Sequence, residues 1–175
     1  MRRIFRVVLV VLGAAGGPAD AADLEGPGHN VRVRGPWLET AREAWRSATE
    51  RLERPACARV LSDFRDAEGR TLQENLDALG LSAPEYMGRV FFYDGRHRRG
   101  CLPSRVMAVT APGSRVVYLC PQFLARAARE RELAEAVLIH EVLHTLGLGE
   151  DPPSSQAITA RVRERCGDRA LVARR

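Results

Sequence analysis

The sequence predicts a small α+β domain, and three observations carry that expectation. Apolar residues recur at helical spacing over residues 37–54 and again over 121–146. Short runs rich in β-branched and aromatic residues, at 89–93, 105–109 and 115–119, read as strands bounded by turn residues. The region from residue 22 onward is about 154 residues long, which is one domain with room for a real core.

Residues 1–21 read as a secretory signal peptide. Arg2, Arg3 and Arg6 form its positive end, 7–15 its short apolar stretch, and Ala19-Asp20-Ala21 a small-x-small cleavage site. The apolar stretch is too short to span a bilayer comfortably. There is no Cys near the cleavage site and no later span candidate, so the expectation is a secreted or periplasmic protein without a stable membrane anchor. Residues 22–36, rich in Gly, Pro and polar side chains, read as a flexible leader. The domain proper is expected over 37–175.

Within it, Leu38, Ala41, Ala44, Trp45, Ala48 and Leu52 share one helical face, and Pro55 ends that helix. Trp37 and Trp45 are read as core anchors. Residues 57–64 are apolar and fit either a helix or a strand. Residues 66–70 form a turn. Thr71 then caps a helix that runs to about Leu79 and stops at Gly80, with Glu74 completing a capping box. RVFFY at 89–93 is a strand closed by Asp94-Gly95, followed by a basic loop containing His97. The segments 105–109 and 115–119 form a hairpin around Ala111-Pro112-Gly113-Ser114. Pro121 suits the first position of a helix. Helical character reaches Leu146, as one helix or as two broken near Arg129. Pro152-Pro153 forces an extended turn, and Ser154 or Ser155 caps a last helix to about Arg165.

The four cysteines are Cys57, Cys101, Cys120 and Cys166. An even count in an exported chain argues for two disulfides, each contributing about 2–4 kcal/mol. Three pairings are possible. Cys101 and Cys120 flank the hairpin and are paired here, which leaves Cys57 with Cys166. The net charge is +5, and all 27 basic residues are Arg. In the sequence they are scattered among Glu and Asp with no groove-sized basic patch. They read as solvated faces, and no nucleic-acid partner is expected.

The chemistry concentrates at His140-Glu141-Val142-Leu143-His144, an HExxH motif within VLIHEVLHTLGLGED. On a helix, i and i+4 lie on one face one turn apart, so both imidazoles can grip one metal ion. Glu141 is rotated about a quarter turn away, where it can reach a metal-bound water instead of the metal. Leu133, Val137, Leu138, Val142, Leu143 and Leu146 give the segment core-facing periodicity, and Gly147 supplies a helix stop. Tyr93 and Tyr118 are weaker candidates as hydrogen-bond donors to a reacting oxygen, as is His97.

The extended pattern His140-Glu141-x-x-His144-x-x-Gly147-x-x-Glu150 resembles the zincin metallopeptidases, in particular the metzincin signature. The chain departs from that signature in carrying Glu150, with Asp151 beside it, at the place of the third ligand. It also has no Met after the motif. The carboxylate and the segment 118–123 (YLCPQF) are similar to the aspzincin group. The resemblance covers about 35 residues, 116–150. It implies a zincin-like fold, with an active-site helix packed on a short mixed or antiparallel sheet. It further implies Zn2+ held by His140, His144 and Glu150, with Asp151 as the other possible third ligand. Glu141 is then the catalytic base, a peptide or protein is the substrate, and the hairpin edge holds an extended peptide. The alternatives are a non-catalytic zincin-fold binding domain and a zinc amidase acting on a non-protein amide.

Overall fold

The structure is a computed structural model, and it describes residue 26 and residues 28–168. The signal peptide expected over 1–21 lies outside the described residues.

A mixed four-stranded sheet lies against a layer of helices. The strands are β1 (Val31–Arg32), β2 (Phe91–Asp94), β3 (Ala108–Val109) and β4 (Val116–Leu119). Their spatial order is β1-β2-β4-β3. β1, β2 and β4 run parallel, and β3 pairs antiparallel with β4, Ala108 opposite Leu119. Strand alternation sorts the side chains. Val31, Phe92, Ala108, Val117 and Leu119 are buried toward the helices. Arg32, Phe91, Tyr93, Val116 and Tyr118 occupy the opposite, outer face.

The α+β class and the sheet are as the sequence predicts, with strands shorter than their apolar runs. The leader is corrected in part, because β1 falls within 22–36. Buried Asn30 explains why. Its side-chain Nδ2 donates to the carbonyls of Met87 and Val90, and its backbone carbonyl accepts from the Phe92 amide at 2.9 Å. These three bonds fix the chain entering the sheet, while the side-chain Oδ1 of Asn30 has no partner among the described residues. Val31 and Val33 then add to the core.

Helix α1 (Trp37–Glu53) buries Ala41, Ala44, Trp45, Ala48 and Leu52, the expected stripe. Trp45 is a core residue, and Trp37 packs half-buried against the core. The ambiguous stretch near 57–64 folds as two helical turns, α2 (Pro55–Ala58) and α3 (Val60–Asp63). The Thr71–Glu74 capping box opens α4 (Leu72–Ala78). A second box, Ser82 with Glu85, opens α5 (Ala83–Met87), a helix that the apolar periodicity does not reveal because it is only five residues long. The segment after Pro121 is two helices, α6 (Pro121–Arg126) and α7 (Arg131–Thr145). Ser154 caps α8 (Ser155–Cys166) by accepting the Ala157 amide hydrogen.

α7 is the centre of the molecule. Every residue from Ala134 to Thr145 is buried, so this helix is enclosed on all sides and does not present a single apolar stripe. It packs against α1, α6, α8 and β3. Two disulfides are present, Cys57–Cys166 and Cys101–Cys120. The first ties α2 to the end of α8, and the second ties the 3-10 turn Arg99–Cys101 to the end of β4.

Candidate metal centre

An enclosed helix has few places for polar side chains, so those that α7 carries need partners. Its C-terminal half holds His140, Glu141 and His144, all buried. One helical turn separates the two imidazoles, and their Nε2 atoms are 3.0 Å apart.

The end of α7 is a Schellman motif. Gly147 sits at φ 109°, the Leu148 amide donates to the Leu143 carbonyl, and the Gly147 amide donates to the His144 carbonyl at 2.9 Å. Three other segments also donate to the carbonyls of this end. Tyr86 Oη donates to Thr145, Asn75 Nδ2 to Leu146 and the Gly113 amide to His144. The chain reverses at Gly147 and brings Glu150 back over the helix end. Glu150 Oε1 lies 3.3 Å from His144 Nε2 and 3.7 Å from His140 Nε2. His140, His144 and Glu150 form a group that could hold a metal ion. Asp151, exposed at φ 58°, is not one of the three.

The outer nitrogen of each ring is also held. His144 Nδ1 donates to the Leu148 carbonyl at 2.7 Å, which leaves Nε2 as the lone-pair nitrogen facing the cluster. His140 Nδ1 is 2.9 Å from Thr159 Oγ1 on α8. Burial, and then the neighbouring His144, push His140 down to about 4, against the opposing pull of Glu150. A neutral ring is the metal-ready form. Burial, reinforced by the charge of Glu150, raises the Glu141 carboxyl to about 8. A divalent cation at the cluster would act on Glu141 in the opposite sense.

The other sequence candidates lie elsewhere. Tyr93 and Tyr118 stand on the outer face of the sheet, away from α7, with their rings 6.1 Å apart. His97 is exposed in its basic loop. Sequence reasoning misses Thr159 and the Leu148 carbonyl. Nothing in a sequence pattern marks a Thr on a separate helix, whereas the carbonyl follows from the Gly147 stop once the Schellman geometry is assumed. It also misses the buried pair of Arg51 on α1 and Glu135 on α7. Arg51 extends this pair to the Cys166 carbonyl and to Asp168. No protein-family model, curated protein or solved structure matches the chain.

Proposed function

We propose that this chain is an exported zinc-dependent peptidase of the zincin type. The observation that carries the reading is the triangle of His140, His144 and Glu150 with Glu141 buried beside it. Ligand atoms around a tetrahedral zinc, at bond lengths of about 2.0–2.1 Å, stand about 3.3–3.4 Å apart. The three edges of the triangle are 3.0, 3.3 and 3.7 Å. The donor set of two neutral imidazoles and one carboxylate suits zinc.

Zinc held there supplies a Lewis acid for a carbonyl oxygen and lowers the pKa of water. The remaining work falls to the chain's own groups. Glu141, outside the ligand set, takes a proton from water at its carboxylate and returns it to the departing amine. Thr159 and the Leu148 carbonyl hold the two rings in orientation. β3 is an edge strand packed against α7, and the turn that follows it donates the Gly113 amide to His144. An extended peptide added to that edge would pass beside the cluster and be held by main-chain hydrogen bonds. Two disulfides fit an extracellular setting. Among the described residues no helix is long and apolar enough to cross a membrane.

Elemental analysis of the purified chain, run beside hydrolysis of a mixed peptide library, tests this. One zinc per chain is expected in the wild type and in Glu141→Gln, with weaker binding in Glu150→Ala and none in His144→Ala. Peptide hydrolysis is expected only in the wild type, and Glu141→Gln is expected to lose at least about 100-fold. Full activity in Glu141→Gln, or no zinc in any form, would sink the reading.

A further inference from the structure

Over the whole sequence the arginines are interleaved with acids, but two segments that the fold joins in one sheet layer are an exception. The segments that build the sheet and its loops, residues 28–34 and 88–119, carry eight Arg and a single acid, Asp94. The remaining described residues carry 13 Arg and 18 acids. All eight sheet-layer arginines are exposed. Asp94 is taken by Arg96. Arg32, Arg34, Arg89, Arg98, Arg99, Arg105 and Arg115 make no ion pair among the described residues, whereas the helical layer pairs most of its own. The sheet layer therefore carries an excess of positive charge; Arg89 and Arg115 lie at its edge beside α5, and the others belong to the sheet and its loops.

That layer also carries apolar groups. Phe91 and Tyr93 stack at 6.3 Å on the outer face, and Tyr93 is 38% exposed. Leu102 is 75% exposed, the most exposed large hydrophobic residue among the described residues, and it sits in the loop between Arg99 and Arg105. The adjacent Cys101–Cys120 bridge pins this loop to β4, and Gly100 packs it close to Val109, 3.3 Å from where a Cβ would stand. The apolar tip is thus presented by a fixed base, in a loop whose Arg98, Arg99 and Arg105 have no ion partner among the described residues.

We infer that this face docks the protein onto an anionic phospholipid surface, with the arginines at the headgroups and Leu102 and Tyr93 at the acyl boundary. Charge supplies the complementarity, at a worthwhile strength per Arg near such a surface, and the exposed leucine supplies the part that charge alone leaves unexplained. A single-stranded nucleic acid fits less well. It has no use for Leu102, and the ring of Tyr118, where a base would stack, is covered by Arg98 at 3.9 Å.

Co-sedimentation of the purified chain with vesicles tests the inference, independently of any catalytic role. Binding is expected to mixed phosphatidylglycerol–phosphatidylcholine vesicles at about 0.1 M salt and not to phosphatidylcholine alone. It should vanish near 1 M, where the screening length falls to about 3 Å. Arg98→Ala with Arg99→Ala should lower partitioning roughly 10- to 30-fold. Leu102→Ser should lower it roughly tenfold. Arg129→Ala with Arg163→Ala, on the helical side, should leave it unchanged. These side chains are exposed, and only Arg98 gives up a contact, its stacking on Tyr118, so thermal melts should stay within a few degrees of the wild type. Failure to sediment with anionic vesicles overturns the inference, as does equal binding by the Arg98/Arg99 variant. Displacement from vesicles by a single-stranded oligonucleotide at lower concentration would assign the face to nucleic acid instead.

Discussion

Glu141 and His140 are neighbours that the protein perturbs in opposite senses, and the consequences for stability can be separated by pH. In the zinc-free protein the folded Glu141 carboxyl titrates near 8, against about 4.5 unfolded, so its contribution is fully present below 4.5 and is lost as pH rises through 8. The folded His140 titrates near 4, against about 6.5 unfolded, so stability falls as pH drops from 6.5 toward 4. The two slopes oppose each other between 4.5 and 6.5. Above 6.5 only that of Glu141 remains. Urea titrations of the chelator-treated protein should therefore show stability declining from pH 6.5 to 8, and Glu141→Gln should remove the decline. A flat profile in the wild type would mean that the Glu141 carboxylate is better solvated than its burial implies. Thr159 offers a second test. Its hydroxyl only orients His140, so Thr159→Val should weaken zinc affinity about tenfold with little change in stability, and Thr159→Ser should restore it. Competition with a zinc chelator reads both. The two histidines and Glu141 are legible in the sequence because i, i+4 spacing converts directly into a shared face. Thr159 is not, since its role depends on how α8 packs on α7.

At the scale of elements, the site is made by a helix end. Four segments converge on the C-terminal carbonyls of α7, and the Schellman turn directs both the Leu148 carbonyl and Glu150. Gly147 is the residue that permits this. Its φ of 109° is one that L side chains rarely adopt, and an added Cβ would stand 3.3 Å from Asp66 Cβ. Gly147→Ala should cost about 1–2 kcal/mol in denaturant unfolding. It should also weaken zinc binding, because the turn carries two of the groups around the cluster. A loss of stability with unchanged zinc affinity would separate the turn from the site. The stop at Gly147 can be read from the sequence, and so can the Thr71 capping box and the α1 stripe, because each is a local rule. β1 and α5 cannot. The first depends on Asn30 finding the carbonyls of Met87 and Val90, nearly sixty residues away. The second is too short to show a period, although its Ser82–Glu85 box is a visible signal.

For the whole molecule, the question is what keeps α8, and with it Thr159, against α7. Two devices act at the same corner. Arg51 on α1 joins Glu135 on α7 to the Cys166 carbonyl and Asp168, and Cys57–Cys166 bonds α8 covalently to α2. The two disulfides differ in reach, closing separations of 109 and 19 residues. In the chain-entropy account the longer loop constrains the unfolded chain more, about 4–5 kcal/mol against about 3 kcal/mol. Replacing Cys57 and Cys166 by Ser should therefore lower the melting temperature more than replacing Cys101 and Cys120. Only the first pair should weaken zinc binding, since only it holds the helix that carries Thr159. Should the first double variant keep its zinc affinity while losing stability, the Arg51 network alone would suffice to seat α8. Arg51→Met would then be the substitution that releases it, because it strands Glu135 as a buried unpaired charge at a cost of about 3–5 kcal/mol. The order of the two effects on zinc affinity thus decides whether the metal centre is set by the covalent frame or by the buried ion pair beneath it.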